Sequence, residues 1–116
     1  MNCLQIHKAG IASSVQDSGR IGTLSIGIPP SGAMDPNALL SGQHQLGHHR
    51  DEAAIEMAYA EFAATPTEAH DVVVTGAPVK LSINQQPVES EGVHHIDAGQ
   101  TLEIKATNEG VYSYLH

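Results

Sequence analysis

Asp71-Val72-Val73-Val74-Thr75-Gly76-Ala77-Pro78-Val79-Lys80-Leu81-Ser82-Ile83 carries the plainest fold signal in the chain. The valines at 72–74 are β-branched and stiff at χ1, and an unbroken run of them over Asp71 to Thr75 suits one strand buried on both faces. From Val79 to Ile83 the pattern turns to alternation, with Val79, Leu81 and Ile83 set against Lys80 and Ser82, as in a half-buried strand. Asn84 to Pro87 then reads as a turn. The same texture continues outward. Val93 to Ile96, Thr101 to Lys105 and Val111 to Leu115 read as strands, separated by Asp97-Ala98-Gly99 and Asn108-Glu109-Gly110. On the other side lie Glu61 to Ala64, Ala53 to Tyr59 and a first strand from Cys3 to Lys8. Ala9 to Ser14 reads as a loop, Asp17-Ser18-Gly19 as a tight turn, and Ile21 to Ile28 as irregular extended chain. One helix is expected, from Pro36 to Leu46. Asp35 is a suitable N-cap, Pro36 fits the first helical position, and Gly47 closes the end. Ala38, Leu39, Leu40 and Leu46 supply its apolar face. Short strands, close turns and one short helix predict a mainly β protein, either a sandwich or a small β-barrel.

The 116 residues suit one domain, residues 1–116. Thirteen acidic residues against five basic ones give a net charge of −8. That balance predicts no nucleic-acid partner, because a basic footprint is needed to displace counterions. It also argues against an anionic membrane surface, and no apolar run approaches the roughly 20 residues of a membrane span. The N-terminal residues lack the layout of a signal peptide. A single cysteine, Cys3, excludes an internal disulfide and suits a cytoplasmic setting.

Candidate chemistry narrows quickly. The pairs His48-His49 and His94-His95 cannot grip one metal from a strand, since neighbours point to opposite faces. His44 and His48 have helical spacing, but Gly47 falls between them, so no metal site is expected. Cys3 reads as a small buried hydrophobe. No phosphate-cradling glycine loop is present and no biotin-carrying Met-Lys-Met, so no cofactor is assigned to this chain. Ser13, Ser14 and Ser31 lack a nucleophile elbow. What remains is Val15 to Pro36, which gathers Gln16, Asp17, Arg20, Ser31 and Asp35 among glycines (Gly19 and Gly32 included) and prolines. Arg20 either clamps a carboxylate or phosphate bidentately or pairs with Asp17 to pin the turn. Asp35 and Pro36 read as helix-capping residues. Glu56, inside Ala53-Ala54-Ile55-Glu56-Met57-Ala58, lies either on a polar face or partly buried; if buried, Arg20 is its natural partner.

These residues carry a family resemblance. Ser14-Val15-Gln16-Asp17-Ser18-Gly19-Arg20-Ile21-Gly22 followed by Gly27-Ile28-Pro29-Pro30-Ser31-Gly32-Ala33-Met34-Asp35-Pro36 resembles the opening of the allophanate hydrolase subunit 2 family. That family includes the C subunit of 5-oxoprolinase, the A–B part of the urea carboxylase carboxyltransferase domain, and a sporulation-kinase-inhibitor antagonist. Shorter echoes follow at Ala54-Ile55-Glu56-Met57, Val74-Thr75-Gly76-Ala77, Ala98-Gly99-Gln100-Thr101-Leu102 and Gly110 to Leu115, where Tyr112 replaces the family's arginine. The resemblance implies a cyclophilin-like small β-barrel with one short helix. It also implies that residues 1–116 correspond to the N-terminal portion of a longer carboxyltransferase-like protein.

The function implied is part of an ATP-dependent 5-oxoprolinase-type complex, which opens the lactam of 5-oxo-L-proline to glutamate. ATP belongs to the complex and not to this chain. The substrate is a small anion, so Arg20 is assigned to its carboxylate or to a phosphorylated intermediate. Gln16, Asp17, Ser31 and Glu56 complete one wall of the substrate site, with catalytic residues unassigned. Two alternatives stand beside this: a non-catalytic β-barrel binding or regulatory module, and a fragment of a biotin-dependent urea carboxylase-type carboxyltransferase. The expected partner is a protein resembling allophanate hydrolase subunit 1, or a second copy in a homodimer, because a barrel lacking its neighbour exposes apolar surface.

Overall fold

A computed structural model describes residues 3–17, 32–47 and 52–116. Alternation and turn chemistry lay down eleven strands and one helix among them. The strands are β1 (Leu4–Lys8), β2 (Ala12–Gln16), β3 (Ala54–Ala58), β4 (Glu61–Pro66), β5 (His70–Val72), β6 (Val74–Gly76), β7 (Val79–Ile83), β8 (Gln86–Val88), β9 (His94–Ile96), β10 (Leu102–Ala106) and β11 (Tyr112–Leu115); α1 spans Pro36–Gln45. The larger sheet has the order β1-β4-β10-β7-β8, the smaller β2-β3-β11-β6, and β5 pairs with β9. All pairings are antiparallel.

The inner faces of the two main sheets meet in one apolar core. Phe62, Ala64, Leu81, Leu102 and Ile104 come from the larger sheet, and Met57, Val74 and Leu115 from the smaller. The mainly β expectation with one short helix is met. The sheets, however, are open: hydrogen-bonded pairing among the described residues does not close them into a barrel. Burial of apolar side chains between the sheets, not a continuous ladder, joins them.

Two sequence expectations change. The valine run is not one strand. Val72 ends β5, which pairs with β9, while Val74 begins β6, which pairs with β11. Val73 lies between, with both backbone groups bonded to those of His116 (His116 N to Val73 O, 3.0 Å). A run buried on both faces suits this corner, because the chain passes there from one sheet to another. Residues 12–14, part of the loop expected over Ala9 to Ser14, instead open β2, which among the described residues is an edge strand paired only with β3. Its mostly exposed side chains hide the apolar alternation that marks a strand. The turn expected over Asn84 to Pro87 proves tighter, because Gln86 and Pro87 already belong to β8 and only two residues make the turn. Asn84 and Gln85 both take positive φ (49° and 67°), the two-residue geometry whose twist matches the strands it joins. Asn84 also accepts from Thr101 N through Oδ1 at 2.7 Å, tying the turn to β10.

The helix forms where its caps predict. Asp35 Oδ1 accepts from Ala38 N at 3.2 Å, Pro36 occupies the first turn, and Gly47 adopts φ +70° beyond the last. Its buried face is Ala38, Leu39, Gly42 and Gln43. Leu40 is half exposed, because helical periodicity sets it off this stripe. The buried Gln43 side-chain amide donates to Glu52 O. α1 packs on β6 and β11, across the outer face of the smaller sheet. A carbon added to Gly42 would strike the His116 imidazole, so the absent side chain makes room for that ring beside the helix.

Candidate functional site

Four polar side chains from four strands line up across the outer face of the smaller sheet. Ser14 on β2 lies opposite Glu56 on β3, Glu56 opposite Tyr114 on β11, and Tyr114 opposite Thr75 on β6. The period of two along each strand puts them on one face. Ala54, Glu56, Tyr112 and Tyr114 turn outward toward α1, whereas Ile55, Met57 and Leu115 turn into the inter-sheet core.

The centre of this row is a buried carboxylate–phenol pair. Glu56 is 7 % exposed and Tyr114 fully buried. Tyr114 OH donates to Glu56 Oε2 at 2.7 Å. The same Oε2 accepts from Met34 N at 2.7 Å, and Tyr114 OH in turn accepts from Asp35 N at 2.8 Å. Burial, then the hydrogen bond to Glu56, pushes the Tyr114 phenol well above its ordinary value. It therefore stays a donor throughout the physiological range. Residues 32–35 thus form a strap over β3 and β11, held by two backbone N–H groups on two side chains. Ala33 N adds a bond to Asp17 O at 3.2 Å. Both ends of the segment singled out from the sequence, Gln16-Asp17 and Gly32 to Asp35, consequently meet over Glu56.

Gln16 sits half-buried at the end of β2 and donates through Nε2 to Ser14 Oγ at 3.0 Å. Asp17 is exposed just beyond it, and Gly32 opens the strap at φ +117°, a conformation that favours glycine. Arg20, Ser31 and Gly19 lie outside the described residues, as does His48. Asp35 and Pro36 act as cap and first-turn residue. Glu56 takes the buried alternative, and its described partners are Tyr114 and the strap. Tyr114 escaped the sequence reading: it was legible only as one position of a strand. The signal was Tyr112 and Tyr114 alternating on β11, with one phenol falling in register with the acid at 56. At the far end of the row Thr75 Oγ1 donates to Ala38 O at 2.7 Å and lies 3.1 Å from His116 Nε2, joining β6 and β11 to the helix.

Two further expectations are corrected or refined. Cys3 is exposed, because β1 is an edge strand and offers no interior to bury it. Of the adjacent histidines, His94 is half-buried and His95 exposed, on opposite faces as the strand period requires. His95 bridges Asp71 Oδ1 (2.8 Å) and Asp97 Oδ1 (3.1 Å). Those hydrogen bonds, Asp71 first, raise its pKa. No grouping of residues suited to a metal ion occurs among those described.

Residues 26–116 match the carboxyltransferase domain, subdomain A and B, family. The chain belongs to that family. The carboxyltransferase-family chain is 32 % identical over 103 residues to the C subunit of 5-oxoprolinase from Haemophilus influenzae, covering 89 % of this chain and 33 % of that protein. It is 28 % identical over 112 residues to urea amidolyase of Lachancea kluyveri, covering 96 % of this chain and 6 % of that one. Among solved structures, Kluyveromyces lactis urea carboxylase superposes with a TM-score of 0.90 at 25 % identity, over 97 % of this chain and 10 % of that one. The chain therefore spans about a third of the 5-oxoprolinase relative and a small fraction of the amidolyase. No helix among the described residues is long and apolar enough to cross a membrane.

Proposed function

We propose that this carboxyltransferase-family chain contributes one wall of the substrate site in an ATP-dependent 5-oxoprolinase-type complex. The observation that carries this reading is the anchored strap. The segment that resembles the family's opening motif has its described ends, Gln16-Asp17 and Gly32 to Asp35, held over Glu56 and Tyr114, and Arg20 and Ser31 lie between those ends in sequence. The 32 % identity to the C subunit of 5-oxoprolinase supports the choice of substrate. In this proposal Arg20 takes the carboxylate of 5-oxoproline or a phosphorylated intermediate, since guanidinium binds either oxyanion bidentately. Gln16, Asp17 and Ser31 supply polar contacts. Glu56 completes the wall and positions the strap through Oε2. ATP and the lactam-opening chemistry come from partner proteins, one resembling allophanate hydrolase subunit 1, in the cytoplasm. Ile11, Val15 and Met34, exposed around the edge strand and the strap, support a partner there.

The test is co-expression with candidate partner proteins and an assay for ATP-dependent hydrolysis of 5-oxoproline. Turnover that depends on this chain and falls sharply with Arg20→Ala is expected. No turnover with any partner, or turnover and affinity unchanged in Arg20→Ala, would contradict the assignment. The likeness to urea amidolyase and urea carboxylase favours a second reading, a biotin-dependent carboxyltransferase part. Carboxyl transfer from a biotinylated carrier in the same assembly, without lactam hydrolysis, would select it.

A further inference from the structure

The outer face of the larger sheet, on the opposite side of the molecule from the strap, gathers Lys8, Lys80 and Lys105. These are three of only five basic residues in a chain of net charge −8. Lys8 is neutralised there by Glu61, with Nζ to Oε1 at 2.7 Å. Glu61 also stands opposite Lys105 across the β4–β10 ladder and feels its charge, but its carboxylate is hydrogen-bonded to Lys8. Lys105 on β10 lies directly opposite Lys80 on β7, an arrangement that destabilises an antiparallel pair. Among the described residues neither of these two ammonium groups lies within ion-pair distance of a carboxylate. Beside them opens a cleft of about 480 Å³ lined by Lys80, Ser82, Pro87, Ser90, Glu103 and Lys105.

Two ammonium groups on directly opposed strand positions can converge on one oxyanion, because their stems are long and their bases only about 5 Å apart. Ser82 and Ser90 add hydroxyl donors to the same cleft. Pro87 on the short edge strand β8 has no N–H to offer, which blocks addition of another strand at that edge and leaves the cleft to a compact ligand. We propose that the cleft is a binding site for a small oxyanion-bearing ligand, a phosphate ester or a carboxylate, held between Lys80 and Lys105. Glu103, opposite Ser82, bounds the site and opposes any second anionic group on the ligand. Nothing in this proposal depends on the function assigned to the strap.

Titration of the isotope-labelled 116-residue chain by NMR tests it. The probes are inorganic phosphate and, separately, succinate, at ionic strength matched with chloride. Saturable shifts at the Lys80, Ser82, Glu103 and Lys105 amides are expected with at least one probe. A response to phosphate alone identifies a phosphoryl ligand, and a response to succinate extends the site to carboxylates. Lys80→Gln and Lys105→Gln should each weaken binding about tenfold, while Glu103→Gln should tighten it. Lys80→Gln should melt no lower than the parent, since it relieves the like-charge opposition to Lys105. The proposal is overturned by the absence of saturable shifts with both anions. It is equally overturned by shifts that persist in the double lysine variant, or by a Lys80→Gln variant that melts lower and so reveals a structural role for Lys80.

Discussion

The two faces of the β3–β11 strand pair are built from neighbouring residues and do different work. Inward, Ile55, Met57 and Leu115 meet the larger sheet in a core of apolar side chains. Outward, one position along, Glu56 and Tyr114 meet the strap through hydrogen bonds, and the Tyr114 ring packs on Ala38 and Leu39 of α1. The inward face is non-directional and holds the sheets together by removing apolar area from water. The outward face is directional and fixes where a short backbone segment lies. A buried carboxylate adds little net stability, yet it becomes expensive once a partner is removed. The inward face therefore sets global stability, and the outward face sets local order in the family motif.

This division makes graded predictions. Met57→Ala leaves a cavity in the inward core and should cost about 2–5 kcal/mol, read as a lower midpoint in denaturant, with the relative protection of the strap amides unchanged. Tyr114→Phe keeps the ring but leaves Asp35 N and Glu56 Oε2 each one partner short. It should cost about 1–3 kcal/mol, concentrated in residues 33–35. A loss spread evenly over the chain would erase the distinction between the faces. Gln85→Gly touches neither face. It relieves a side chain held at φ +67° and should stabilise by up to about 1 kcal/mol, measured as a raised midpoint with both faces unaffected.

The smallest effect belongs to His95. Its folded-state pKa is raised above the ordinary 6.5 by Asp71 and then Asp97. A raised histidine contributes stability that is fully present below its unfolded value and is lost as pH rises through the folded one. The melting temperature should therefore fall slightly as pH rises from about 6.5 through the raised folded-state value. An NMR titration of His95 should place its midpoint above that of Asp71→Asn. Exposure on the β5–β9 pair keeps the effect small.

Much of the fold was legible because local chemistry and tertiary packing agree. Val79–Ile83 alternates and pairs as its pattern states, and Asp35-Pro36 starts the helix it promises. The sequence failed where context overrides pattern. Val72-Val73-Val74 looks like one strand but spans a corner between sheets, and β2 lacks an apolar alternation because it is an exposed edge. At the site, Glu56 was visible as an acid inside an apolar strand, while its partner was not. Tyr114 is 58 residues away along the chain and becomes a neighbour only through strand register.

The central claim is that Glu56 and Tyr114 hold the family motif's strap in place. Amide hydrogen exchange at Met34 and Asp35, compared between the parent protein and Tyr114→Phe, tests it most directly. Loss of the phenol bond should speed exchange at both amides by about tenfold or more, beyond any change at core amides such as Ile104. Equal protection of Met34 and Asp35 in the two proteins, or a change no larger than that of the core, would contradict it.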